Sequence, residues 1–125
     1  MVSVIIIQYN NSHFTINAIQ SFLKYHKDNI EIILVDNNST EPDIAKFIKE
    51  FPNLKVIRCE KNIGFGAANN LAVKKSSGDI LLFLNNDVII ISEFIKKIED
   101  EFRKDSSIGI IGPKQIGRAS CRERV

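Results

Sequence analysis

Asparagine, aspartate and glycine gather at four places in this sequence: Tyr9-Asn10-Asn11, Asp36-Asn37-Asn38-Ser39, Asn62-Ile63-Gly64-Phe65-Gly66 and Asn85-Asn86-Asp87. Each group follows an apolar run. Amide and carboxylate side chains hydrogen-bond hydroxyls, base edges and phosphates, and glycines let a backbone approach a ligand closely. One such loop is explained by turn chemistry alone. The same feature after four successive apolar runs points to a polar binding cleft. Tyr9 offers a ring face to a base, or serves as an ordinary strand aromatic. Asp36 accepts hydrogen bonds from a ribose or a base N–H, as acidic residues at the ends of early strands do, or it starts a turn. Asp87 ends a strongly apolar run. Mg²⁺ and Mn²⁺ on nucleotide substrates need only one or two protein carboxylates, because diphosphate oxygens and water complete the shell. A turn aspartate is the plain alternative.

The remaining reactive residues carry less. Gly64-Phe65-Gly66 is not a dinucleotide fingerprint, because Asn69 stands where the third glycine belongs and the stretch follows the third strand. Its glycines serve close backbone approach or a turn at positive φ. His13 and His26 have no partner at metal-ligand spacing and read as surface residues. No serine sits in a nucleophile elbow. Cys59 reads as inert, and the lysine pairs at 74–75 and 96–97 as solvated helix faces.

The elements that must position these loops alternate. Residues 2–9, 30–35, 54–59 and 79–84 are apolar and rich in β-branched side chains, and read as strands. The last of these reads as buried on both faces. Between them lie helical patterns: one carrying Phe14, Ala18, Ile19, Phe22 and Leu23, one starting at Thr40, Pro42 and Asp43 and burying Ile44, Ala45, Phe47, Ile48 and Phe51, and one from Ala67 to Lys75 with Gly78 as its C-cap. A helix capped by Ser92 carries Phe94, Ile95, Ile98 and Phe102, and Ile108-Gly109-Ile110-Ile111 reads as a short fifth strand. Strands alternating with helices mean an α/β fold: a Rossmann-like, open, mostly parallel sheet of about five strands with flanking helices. In such a sheet ligands bind beyond the carboxyl ends of the strands, where the four loops lie.

Composition sets the outer limits. The chain has 125 residues, 44% hydrophobic and 26% charged, which fits one globular domain. No apolar run reaches the ~18 residues of a membrane span, and the start has no secretory pattern. Two distant cysteines form neither a disulfide framework nor a metal cluster, so a cytoplasmic location is expected. A net charge of +2 without a basic stripe argues against nucleic acid as a partner. That charge lies in the last eight residues, where Arg118, Arg122 and Arg124 stand against Glu123. Residues 115–125 differ in composition from the rest, resemble a vector-derived extension and read as a non-native tail, with a native basic tail as the alternative. Residues 1–114 are then the folded body.

Taken together, Val2 to Asn10, Glu31 to Ser39, Asn62 to Asn70 and Leu81 to Asp87 resemble the family 2 glycosyltransferases of the GT-A fold, in order and spacing. The third and fourth stretches look most like the rhamnosyltransferase-type subgroup. The resemblance implies a nucleotide-diphosphate-sugar donor, UDP- or dTDP-linked. By carry-over, Tyr9 and Asn10 line the base and ribose pocket, and Asp36 binds base or ribose. Asn62, Gly64 and Asn69 shape the donor site, to which Asn38 and Asn86 also belong. Asp87 takes the last position of the family's Asp-x-Asp motif, as ligand to Mn²⁺ or Mg²⁺.

Two departures stand out: Gln8 replaces a small residue before the tyrosine, and Asn85 replaces the first aspartate of the metal motif. The family continues well past a fifth strand, into a part that carries the acceptor site and the catalytic general base. The resemblance therefore implies the donor-binding half of a transferase, inactive alone. In the full-length protein the acceptor is a glycan or a lipid-linked molecule, which allows peripheral association with the inner membrane face. The alternative is a non-catalytic nucleotide-binding or interaction module of the same fold. A response-regulator-like domain needs an acidic pair after the first strand, where this chain has Tyr9-Asn10-Asn11.

Overall fold

A computed structural model describes residues 1–40 and 44–114. The chain divides into two compact units, Met1–Glu93 and Phe94–Val125. The first holds β1 (Val2–Gln8), α1 (Ser12–Tyr25), β2 (Ile30–Asp36), α2 (Ile44–Glu50), β3 (Lys55–Arg58), α3 (Phe65–Lys75) and β4 (Ile80–Phe83). The second holds α4 (Ile95–Lys104) among its described residues.

The sheet has four parallel strands in the order β3-β2-β1-β4. Its two inner strands carry the longest β-branched runs, and the inner strand of a parallel sheet must be apolar on both faces. Ile5, Ile33 and Val35 pack with Ala68 and Ala72 of α3 and with Cys59. The alternate residues Val4, Ile6, Ile32 and Leu34 are buried on the other face, as are Thr15, Ala18, Ile19 and Phe22 of α1 and Phe47 of α2. The small alanines of α3 let its backbone lie close on the sheet.

Several expectations change. Residues 108–111 form no strand. Their alternation is strand-like, but a strand exists only by pairing, and Ile110 is 93% exposed. β4 is not buried on both faces: it is the last strand in the order, and Leu81 and Phe83 are exposed. Gly78 is no helix cap. α3 ends at Lys75 with Ser76 in the C-cap position, and Gly78 is required because a Cβ there would meet Ser3 Oγ at 2.5 Å, Ser3 N at 2.6 Å and Met1 O at 2.7 Å. α4 starts at Ile95 with Phe94 in the cap position, not Ser92. Ile48 is exposed because it follows the buried Phe47 on a short helix. The start expected at Thr40 to Asp43 falls on residues 41–43, outside the described residues, as does the tail at 115–125.

Candidate functional site

β1, β2 and β3 step outward in one direction, and β4 pairs on the far side of β1. This reversal leaves a crevice beyond the carboxyl ends of β1 and β4, where open parallel sheets bind ligands. A cleft of about 600 Å³ lies there, lined by Ile7, Tyr9, Asn11, Phe14, Asn37, Asn62, Phe65, Asn85, Asn86 and Asp87. All four strand-end loops contribute. Of the candidates that the sequence offers, Tyr9, Asn62, Asn86 and Asp87 reach it together.

The first loop turns sharply. Asn10 and Asn11 both adopt left-handed backbone, at φ 54° and 52°, which asparagine tolerates better than other non-glycine residues. Asn10 faces its neighbouring loop instead of the cleft. Its N–H donates to Ser39 Oγ at 2.7 Å, and its Oδ1 accepts from Thr40 N–H at 2.9 Å. Asn38, at φ 65°, makes the corresponding turn in the second loop.

Asp36 is held by protein partners in this structure. Its carboxylate is 1% exposed and does not line the cleft. Oδ1 accepts from Gln8 Nε2 at 3.3 Å and from the Ser39 hydroxyl. Oδ2 accepts from Ser39 N–H at 3.3 Å and pairs with Arg58 Nε at 3.8 Å. Gln8, Asp36 and Arg58 are register partners on three adjacent strands. The row explains the glutamine in place of a small residue: a buried carboxylate needs donors. Asp36 orders the loop in this conformation, and Asn37 reaches the cleft from it. Cys59 follows Arg58; burial and the Asp36 charge push its thiol up, which suits an inert role.

The third loop is held by amide bonds. Asn62 Oδ1 accepts from Gly64 N–H at 2.9 Å and from Asn37 Nδ2 at 3.0 Å. Gly64 stands at φ 84° and ψ 166°, a conformation essentially closed to other residues. Asn69 bonds back to Phe65 O at 3.0 Å, on its own helix, and does not line the cleft. In the fourth loop Asn86 Nδ2 donates to Thr15 Oγ1 at 3.2 Å, tying the end of β4 to α1. Asp87 is exposed beside it.

Aromatic rings are the cleft residues that the sequence pattern hides best. Tyr9, Phe14 and Phe65 are 50%, 45% and 63% exposed, and all line the cleft. Phe14 shares the apolar spacing of its helix's core face. At ~100° per residue, however, it sits roughly 90° from the middle of the stripe formed by Thr15, Ala18, Ile19 and Phe22, a signal a helical wheel carries. Asn11 and Asn37 are visible in the sequence only as loop residues. His26, expected at the surface, is buried: its ring packs on Phe22 at 4.7 Å and its Nδ1 lies 3.5 Å from Glu93 Oε1. Burial pulls its pKa down, against the Glu93 charge.

Among the described residues no group of three His, Cys, Asp or Glu side chains can hold a metal. Asp87 is the one carboxylate lining the cleft, with the amides of Asn85 and Asn86 beside it. This all-oxygen set suits Mg²⁺ or Mn²⁺ delivered on a phosphate-bearing ligand, not a protein-only cage.

A parallel α/β sheet with a polar, aromatic-rimmed cleft at its switch point defines a ligand-binding domain of the doubly wound class. Residues 3–123 match glycosyl transferase family 2, and the chain belongs to that family. An "uncharacterized glycosyltransferase" of Rickettsia bellii is 40% identical over 88 residues, which are 69% of this chain and 13% of that protein. Chondroitin synthase of Escherichia coli is 28% identical over 113 residues, 89% of this chain and 16% of its own. The crystal structure of S. aureus TarS with UDP-GlcNAc superposes with a TM-score of 0.73 at 28% identity, covering 82% of this chain and 31% of that one. The chain spans less than a third of the length of each of these three proteins. No described helix is long and apolar enough to cross a membrane.

Proposed function

We propose that the cleft binds a nucleotide-diphosphate sugar, UDP- or dTDP-linked, and that the chain is the donor-binding part of a transferase acting on a glycan or lipid-linked acceptor. The observation that carries this is the composition of the cleft wall. Exposed rings of Tyr9, Phe14 and Phe65 offer stacking faces to a base, while Asn62, Asn85, Asn86 and Asp87 offer hydrogen bonds and one charge to ribose and diphosphate. The crystal structure of TarS in complex with UDP-GlcNAc supports the same ligand class.

Each group has a task. Stacking fixes the base, and amides fix the ribose and the diphosphate, which sets the direction in which the sugar points. Asp87, helped by the amides of Asn85 and Asn86, would hold Mn²⁺ or Mg²⁺ delivered with the donor. The ion supplies charge neutralisation of the leaving group. Transfer also needs a carboxylate to take the acceptor hydroxyl proton as its oxygen bonds to the anomeric carbon and the diphosphate leaves. Asp36 is buried, and Asp79 lies at the other end of β4, where it pairs with the Met1 amine at 3.2 Å. With Asp87 committed to the metal, the described cleft supplies no base, so this chain binds donor without transferring it. Full-length relatives would bring the base and acceptor wall; a cytoplasmic site at the inner membrane face fits that acceptor class.

Calorimetry with UDP and dTDP, with and without Mn²⁺, tests the reading. Binding strengthened by the ion supports it. A folded chain that binds neither nucleotide under either condition overturns it.

A further inference from the structure

Asn37 sits on the cleft wall, yet it is only 3% exposed. It has almost no surface to give a ligand. Its polar atoms are spent inside the protein. Nδ2 donates to Asn62 Oδ1 at 3.0 Å and to Gly64 O at 3.3 Å, and Oδ1 accepts from Ile63 N–H at 2.9 Å. Its own N–H donates to Gln8 O at 2.8 Å. One side chain thus joins the end of β2 to the whole 62–64 loop, while its backbone joins the end of β1.

The amide orientation is settled by backbone groups. Gly64 O can only accept and Ile63 N–H can only donate, so nitrogen must face the first and oxygen the second. Asn62 is settled likewise, because its Oδ1 accepts from Gly64 N–H at 2.9 Å. Asn37 therefore faces two acceptors and one donor. An aspartate has the same shape and satisfies the donor, but it sets a charge against both acceptors. The chemistry requires an amide here.

We infer that Asn37 is a positioning residue for the nucleotide site: it holds Asn62 and the Gly64 turn in place, and through them the start of α3 with Phe65, without contacting the ligand itself. This rests on the donor-binding reading above.

Two measurements test it, and they fail separately. In the ligand-free chain, Asn37→Ala removes the acceptor of Ile63 N–H directly, but Gly64 N–H bonds only to Asn62. Faster amide exchange at Gly64 as well as Ile63 is the expected signature of lost positioning. Equal Gly64 exchange in wild type and variant overturns the inference whether or not any nucleotide binds.

The second measurement is metal-free UDP affinity. Asn37→Ala and Asn37→Asp are expected to weaken binding about tenfold at neutral pH. Asn37→Asp should regain part of the loss on acidification, relative to wild type at the same pH, because a neutral carboxyl donates one of the two missing bonds. Asn37→Ala with Asn62→Ala should bind no worse than the weaker single variant, since both break one unit. Additive losses, or wild-type affinity in Asn37→Asp at neutral pH, overturn the positioning role. A wild-type chain that binds neither UDP nor dTDP, with or without Mn²⁺, refutes the donor-binding reading, while the exchange experiment still decides whether Asn37 holds the loop.

Discussion

Replacing Glu31 with glutamine should cost about 2 kcal/mol at neutral pH, and most of that cost should vanish in acid. Glu31 lies near the start of β2, at the far end of the sheet from the cleft. Its Oε1 accepts from the Ser3 hydroxyl and from Ser77 N–H, and its Oε2 pairs with Lys55 Nζ. Ser3 Oγ in turn accepts from Gly78 N–H at 2.8 Å. One carboxylate thus links β1, β2, β3 and the chain before β4. Burial pushes its pKa up, but the bonds from Lys55, Ser3 and Ser77 together with the Lys55 charge outweigh that and bring it from 4.5 to about 2. By proton linkage such a difference is worth roughly 3 kcal/mol, and the half-exposed Lys55 amine reduces it to about 2 kcal/mol through solvent screening. Because the folded pKa is the lower one, the contribution is complete above pH 4.5 and is lost as pH falls towards 2. Urea unfolding of wild type and Glu31→Gln across pH 2.5 to 7, at matched salt, reads the difference directly and cancels the other carboxylates. A gap of about 2 kcal/mol at pH 7 that narrows steadily below pH 4.5 is expected. A gap that stays constant across the range, or one below ~0.5 kcal/mol at pH 7, would refute the reasoning.

Further outcomes follow from other parts of the structure. Asp87→Asn should bind UDP equally with and without Mn²⁺ in calorimetry; a persistent metal effect places the ion elsewhere. Asp36→Ala should lower unfolding free energy by about 1–3 kcal/mol, because Gln8 Nε2 and the Ser39 donors lose a buried partner; an unchanged urea midpoint would contradict this. Gly78→Ala should destabilise by about 1–3 kcal/mol, since the crowding atoms include backbone that cannot turn away; a neutral result would mean the strand start shifts freely. Incubated with UDP- and dTDP-sugars, Mn²⁺ and mixed acceptors, the chain should release no nucleotide at an enzymatic rate. Such release would show that a base exists among these residues.

The sequence discloses most where the signal is local. Runs such as Ile30 to Val35 state their own strand, and the polar groups after four strands mark one edge of the sheet without any knowledge of topology. What it conceals depends on neighbours. Residues 108–111 have strand composition but no partner strand among the described residues. Leu81 and Phe83 look like core, yet their exposure follows from β4 being last in the order. Asp36 has the chemistry of a ligand contact, and only the adjacency of Gln8, Ser39 and Arg58 turns it inward. Asn37 looks like its neighbour Asn38 in sequence; three bonds to residues 25 to 27 positions away separate them.

The two rims of the sheet differ in how they meet other chains. β3 is short and carries Lys55 and Arg58 at its ends, charges of the kind that discourage another strand from adding there. β4 reads Ile80-Leu81-Leu82-Phe83, with no charge, proline or bulge to guard it, and no described strand pairs on its outer side. Among the described residues, the sheet thus has one charged edge strand and one without charge. New strands or domains can be added beyond β4 without crossing β2 or β3 or disturbing the bonds among Asn10, Ser39, Asn37 and Asn62. An uncharged, unpaired strand edge is the kind on which chains associate, and Leu81→Lys is the smallest change that would place a charge there.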